Sequence, residues 1–230
     1  MANILEDMSL AEGEAYNKTI MDVMSGSISA DRSLPEQWIM SDLCTEMRSV
    51  DAKLAEETLN ATYIFMRAQT HKSRLSISNL KQYFVYREDD VGQKLLASLM
   101  EFTMSLAIAA PERVLLGPFE RHCGQHISII NDILSWEKEV RAAATGHSEG
   151  AALCSAVQVL ASESGLTIEA SKRVLWTIAR EIENAYVQDA SEFFEREVSE
   201  DVRAYVRGLV HQMGGNERWS LETKRYHELS

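Results

Sequence analysis

At 230 residues, 45% hydrophobic and 25% charged, the chain is long enough to bury a core without cross-links, and its composition argues against disorder. A formal charge of -12 excludes the electrostatic footprint of a nucleic-acid binder and makes an anionic membrane an unsuitable partner, while a local basic site for an anion stays open. Three cysteines, Cys44, Cys123 and Cys154, leave one over under any pairing, and the start M-A-N-I-L-E-D-M-S lacks the basic and apolar regions of a secretory signal, so a reducing cytoplasm is expected.

In chain order, Ser33 to Thr70 runs without glycine, opens near Pro35, and repeats apolar residues at helical spacing through Trp38, Leu43, Met47, Val50, Leu54 and Leu59. That predicts one or two amphipathic helices. Further helices are expected at about 78 to 86, 91 to 109, 119 to 144 after Pro118, 148 to 163, and 167 to 210 with Thr167 as N-cap. The apolar run Leu95 to Ala110 carries Glu101 and is shorter than a membrane span, so it reads as a buried central helix. From His211 onward, G-G-N-E-R-W-S-L-E-T-K-R-Y reads as a turn followed by a basic-aromatic tail suited to a lid. No period-two alternation, βαβ pattern or glycine-rich phosphate loop occurs, so the fold class is all-α, in a single domain over residues 1–230.

The stretch N-D-I-L-S-W-E-K-E, residues 131 to 139, sits among Ile127, Ile129, Ile130, Ile133, Leu134 and Trp136 yet carries polar groups at helical spacing. At about 100° per residue, Asn131, Ser135 and Glu139 form one stripe, Lys138 returns to the same side, and Asp132 and Glu137 point elsewhere. Three oxygen ligands beside an ammonium suit a hard divalent cation and a diphosphate. A solvated helix face with i,i+4 pairing also fits the spacing, although isoleucines on both sides of the stripe argue against it.

Asn131-Asp132-x-x-Ser135-x-x-x-Glu139 resembles the second metal-binding motif of fungal class I terpene synthases, and two further motifs match in type and order. Y-R-E-D-D-V-G at 86 to 92 resembles the diphosphate-sensing segment, with Arg87 lying 44 residues before Asn131, and W-S-L-E-T-K-R-Y resembles the closing Arg-Tyr motif. Text at 8 to 16, 29 to 35, 63 to 70 and 147 to 154 agrees, so the likeness covers essentially the whole chain.

The resemblance implies a helical bundle around an apolar cavity and a Mg²⁺-dependent sesquiterpene cyclase acting on farnesyl diphosphate. In it, Asn131, Ser135 and Glu139 bind metal; Arg87, Lys138, Arg225 and Tyr226 bind diphosphate; Asp90 orients Arg87; and Phe65 and Trp219 join Arg87 and Tyr226 as catalytic residues, their rings facing the carbocation. Family members also carry an aspartate-rich first motif, D-D-x-x-E. Here the matching text is A-N-I-L-E, with Ala2 and Asn3 in place of the aspartates and Glu6 retained. The helices expected before it are missing, so an N-terminally truncated bundle is expected.

Three readings therefore stand: an active cyclase, an impaired paralogue that binds diphosphate only, and a helical interaction protein. Association of copies through helix faces is left open. His122, Cys123 and His126 have the spacing for a zinc site but lack an evident third or fourth ligand. Glu88 and Asp89 read as a solvated turn.

Overall fold

The structure, a computed structural model, describes residues 2–227, with side chains for residues 4–226. Its elements are α1 (Ala2–Leu5), α2 (Leu10–Ser25), α3 (Pro35–Val50), α4 (Ala52–Gln69), a 3-10 turn (Lys72–Ser76), α5 (Leu80–Asp90), α6 (Gln93–Met104), α7 (Ala110–Leu134), α8 (Trp136–Thr145), α9 (Ala156–Ser164), α10 (Ile168–Phe194), α11 (Glu200–Glu222) and α12 (Lys224–His227). No strand occurs among the described residues, as an all-α chain requires.

Short side chains start many of these helices by accepting from an otherwise unpaired N–H. Ser9 and Glu12 form a reciprocal capping box on α2, Asp51 caps α4, Thr167 caps α10 as expected, and Ser199 caps α11. Gly26 ends α2 at φ 79°, a left-handed conformation that costs glycine little.

Helix α7 is the spine. Leu116, Phe119, Cys123 and Ile127 pack with Tyr186, Phe193, Tyr205 and Leu209 of α10 and α11. Ile129, Ile130 and Ile133 instead join Tyr83 of α5, Val157 and Leu160 of α9, and Leu175 of α10. A smaller cluster of Ile20, Met24, Cys44, Leu59 and Met66 joins α2, α3 and α4. With apolar side chains leaving α7 toward two cores, a remaining direction is free for the Asn131 stripe.

Several boundaries differ from the sequence reading. Helix α7 begins at Ala110, with Pro118 inside it. Pro111 supplies the helix entry, an internal proline removes only one backbone donor, and burial of Leu116 and Phe119 holds the extra turns. Helix α6 is not a buried central helix: Gln93, Ala97 and Glu101 are buried while Leu96 is 43% exposed, and the chain leaves the helix through Ser105 at φ 53°. The expected 148 to 163 helix is confined to α9, because residues before it are fastened to the amino-terminal turn: His147 N donates to Glu6 O at 2.8 Å, and Leu10 N donates to Glu149 Oε2 at 3.0 Å.

The expected 167 to 210 helix is broken between Phe194 and Glu200. The Ser199 cap, with Glu200 and Asp201 in the following turn, marks the restart. The expected turn at Gly214 and Gly215 is helical, since two glycines cost only about 2 kcal/mol of propensity and Met213 and Ser220 bury the same helix on either side. Among the described residues no helix is long and apolar enough to cross a membrane. All three cysteines are free.

Candidate functional site

The last turn of α7, the first turns of α8, the end of α5 and the carboxy-terminal segment α11–α12 converge on one cavity of about 390 Å³. All of the site residues singled out in the sequence line it. Asn131, Ser135, Lys138 and Glu139 face it from α7 and α8, Arg87 from α5, Phe65 from α4, Trp219 from α11, and Arg225 and Tyr226 from α12. The expected single helix over the stripe is two, meeting at Ser135. The bend keeps the helical register, because Ser135 N donates to Asn131 O at 2.8 Å and Glu139 N to Ser135 O at 2.9 Å. The three oxygen-bearing side chains therefore stay on one side.

Within the stripe, Ser135 Oγ donates to Glu139 Oε1 at 2.5 Å, and Asn131 Nδ2 donates to Tyr226 OH at 2.7 Å. The Tyr226 ring meets Trp219 edge-on at 5.5 Å between centroids, so the tail is folded onto the stripe. Burial pushes the Glu139 carboxyl up to about 7, and the charge on Asp132 pushes the same way; the Ser135 hydrogen bond and the positive Arg87 and Lys138 only partly offset them. A partly buried, under-compensated carboxylate beside an amide oxygen and a hydroxyl is an all-oxygen donor set, and it fits a hard divalent cation.

Arg87 is held on three sides. Its Nη1 donates to Asp90 Oδ2 at 2.6 Å, its Nε to Tyr83 OH at 3.1 Å, and its Nη2 to Asp132 Oδ1 at 3.0 Å and Asn131 Oδ1 at 3.3 Å. Pairing with Asp90 agrees with the sequence reading. So does the solvated character of Glu88 and Asp89, which pair with Lys94. Lys138 donates to the carboxylate of Glu6, which also lines the cavity. The side chains of Ala2 and Asn3 lie outside those described.

Three features at and behind the cavity wall were not anticipated. Arg74 lines the wall and donates to Gln69 O and Ala152 O, both at 3.1 Å. Residues 150–154 form part of the rim, displaced there by the shortened α9. Asp132, which helical geometry turns away from the stripe, is 1% exposed and bonded to Arg87; its place next to Asn131 in sequence was the signal available. The zinc alternative dissolves differently: His122 faces Asp189 at 3.7 Å, while His126 Nε2 lies 2.6 Å from Glu183 Oε1 and 3.9 Å from Glu217 Oε2. His126, Glu183 and Glu217 bring their ligand atoms within 4.8 Å of one another, but Arg180 bonds both glutamates and offsets one of their two charges, so the grouping is an ion-pair network rather than the sequence-predicted His122–Cys123–His126 set.

The family model of terpene synthase family 2, C-terminal metal binding, matches residues 9–185. The chain belongs to terpene synthase family 2. It is 48% identical over 226 residues to aristolochene synthase of Penicillium roqueforti, covering 97% of this chain and 66% of the relative. An aristolochene synthase of Aspergillus terreus is 43% identical over 97% of this chain and 70% of its own length. The crystal structure of the Penicillium roqueforti enzyme superposes with a TM-score of 0.81 at 45% identity, covering 96% of this chain and 74% of that one. This terpene synthase family chain thus has the class I helical fold, spans 66% of the length of the Penicillium roqueforti relative, and carries a domain whose family description is metal binding.

Proposed function

We propose that the chain is a sesquiterpene cyclase that ionises farnesyl diphosphate, cyclises the carbocation, and removes a proton from the cyclised cation to give a bicyclic hydrocarbon of the aristolochene type, the proton leaving with the released diphosphate. Mg²⁺ is the cation of this reading, with Asn131, Ser135 and Glu139 as its ligands. One observation carries it: the oxygen stripe, the cations Arg87, Lys138 and Arg225, and the rings of Phe65 and Trp219 all face a single cavity.

When bound, the metal supplies Lewis-acid stabilisation of a leaving diphosphate. Arg87, Lys138 and Arg225 add fixed positive charge to the same oxygens, and the Tyr226 hydroxyl, which accepts from Asn131, still has its own O–H to donate. The faces of Phe65 and Trp219 attract a cation by roughly 0.5–2 kcal/mol each and keep water from it. A cytoplasmic setting goes with three free thiols.

Diphosphate binding without cyclisation is the second reading. It is favoured by the first-motif positions, where Ala2 and Asn3 stand in place of the aspartates and Glu6 alone is retained. Incubating the folded chain with farnesyl diphosphate and Mg²⁺, with products read by gas chromatography and mass spectrometry, separates the two. A cyclic sesquiterpene that disappears in Asn131→Ala supports the cyclase; diphosphate binding with farnesol or no hydrocarbon supports the second reading.

A further inference from the structure

Asp132 has no surface on the cavity, yet it makes more strong contacts than any ligand of the stripe. Its Oδ2 accepts from the Tyr83 hydroxyl and from Ala156 N, both at 2.5 Å, and its Oδ1 accepts from Arg87 Nη2 at 3.0 Å. The Tyr83 hydroxyl accepts in turn from Arg87 Nε at 3.1 Å, which closes a three-membered ring of hydrogen bonds. Tyr83 is fully buried and Asp132 is 1% exposed, so water does not compete for these groups.

The geometry fixes the guanidinium rather than merely neutralising it. A guanidinium has five N–H donors in a rigid plane. Two of the four contacts of Arg87 go to the Tyr83–Asp132 pair, one goes to Asp90, and the longest, at 3.3 Å, goes to Asn131 on the cavity wall. Orienting the plane from behind leaves the fifth donor, and the one in the long Asn131 contact when that contact yields, to an incoming anion without a search through rotamers. The same carboxylate holds N of Ala156, the first residue of α9, two positions after the rim residue Cys154.

We infer that Asp132 and Tyr83 are positioning residues: they set the Arg87 guanidinium against the cavity and tie it to the rim at the start of α9, so that anion binding by Arg87 depends on two side chains that touch no ligand. The inference rests on the diphosphate reading of this cavity.

The test is a double-mutant cycle read by calorimetric binding of inorganic diphosphate in excess Mg²⁺. Wild type, Asp132→Asn, Tyr83→Phe, Arg87→Met and the two double variants with Arg87→Met are compared. Asp132→Asn is expected to weaken binding about tenfold, the size seen when a support behind a binding group is removed, and Tyr83→Phe about threefold. Both losses are expected to vanish in the Arg87→Met background, because residues acting through Arg87 have nothing left to position. Wild-type affinity in both single variants, or the same loss with and without Arg87, overturns the inference and leaves the diphosphate reading intact. Absence of binding by the wild type overturns that reading, and this inference with it, before any variant is compared. Far-UV circular dichroism checks folding. If Asp132→Asn does not fold, Tyr83→Phe carries the test, since it retains the buried ring and both charges.

Discussion

Lys138 and Glu6 are 132 residues apart and form an ion pair across the cavity mouth, joining α8 to the turn that follows α1. The ammonium that helical spacing directs toward the Asn131 stripe is therefore engaged by a carboxylate before any anion arrives. Both side chains are about a fifth to a quarter exposed, so solvent screens the pair only in part.

The direction of the effect of Glu6 follows. If Glu6 competes with the anion for Lys138, Glu6→Gln binds inorganic diphosphate more tightly, by about fivefold for a pair worth roughly 1 kcal/mol. If Glu6 instead still serves metal loading, Glu6→Gln binds diphosphate less tightly in Mg²⁺ and unchanged without it. Titration calorimetry with and without Mg²⁺ separates the two outcomes.

Glu139 gives the site a pH signature. Its carboxyl is raised by burial to about 7 in the folded chain, so between the ordinary carboxylate range and that value the folded state binds more protons than the unfolded one. Stability then falls as pH rises through this window, by at most about 1.4 kcal/mol per pH unit from this group. Glu139→Gln is expected to flatten that part of the stability curve, measured by urea denaturation from pH 4.5 to 7.5. A divalent cation needs the ionised carboxylate, so its affinity rises with pH over the same range in the wild type.

The stripe was legible because helical periodicity is local: Asn131, Ser135 and Glu139 lie one turn apart, and the bend at Ser135 preserves the register. Arg87 and Asp90 were legible for the same reason, being three residues apart on one helix. The contacts that decide the state of the site are long-range and leave no local imprint. Nothing near Lys138 announces Glu6, and nothing near Asp132 announces Tyr83 or Ala156. Helix ends followed a similar rule. The Thr167 cap was readable from its own residue, whereas the persistence of α7 through Pro118 and of α11 through Gly214 and Gly215 depends on packing partners elsewhere in the chain. The first-motif positions Ala2 and Asn3 stand apart, since their side chains lie outside the described residues.

Away from the cavity, the buried ring of His126 joins α7 to α10 through Glu183, and Arg180 continues the network to Glu217 of α11. Burial, the largest influence, holds the imidazole below its ordinary pKa despite the nearby glutamates, so the ring is neutral at pH 7. The unfolded chain takes up this proton first, and the stability contribution is present above about pH 6.5 and lost as pH falls through the folded value. His126→Phe is expected to remove that acid sensitivity and to cost about 1–3 kcal/mol at pH 7, because Glu183 loses a buried partner. Denaturation at pH 5.5 and 7.5 checks both effects. Equal destabilisation at the two pH values would leave the packing loss as the whole effect.

Gly150 fixes the rim that Asp132 holds from its other end. A Cβ at this position would lie 2.1 Å from Leu5 O and 2.2 Å from Met8 O, two backbone atoms that cannot swing aside as a flexible side chain would. Gly150→Ala must therefore part the 146–155 segment from the turn between α1 and α2. The neighbouring bonds, His147 N to Glu6 O and Leu10 N to Glu149 Oε2, are strained or lost together. Overpacking of this kind costs about 1–3 kcal/mol, which in a chain of this size lowers Tm by roughly 2–12 °C. Because Glu6 moves with that turn, the Lys138 ammonium is released as well. Gly150→Ala is thus expected to combine a lower Tm and faster proteolysis near residue 8 with diphosphate affinity at or above wild type. Lower Tm together with lost diphosphate affinity would instead mean that the rim itself supports the anion site.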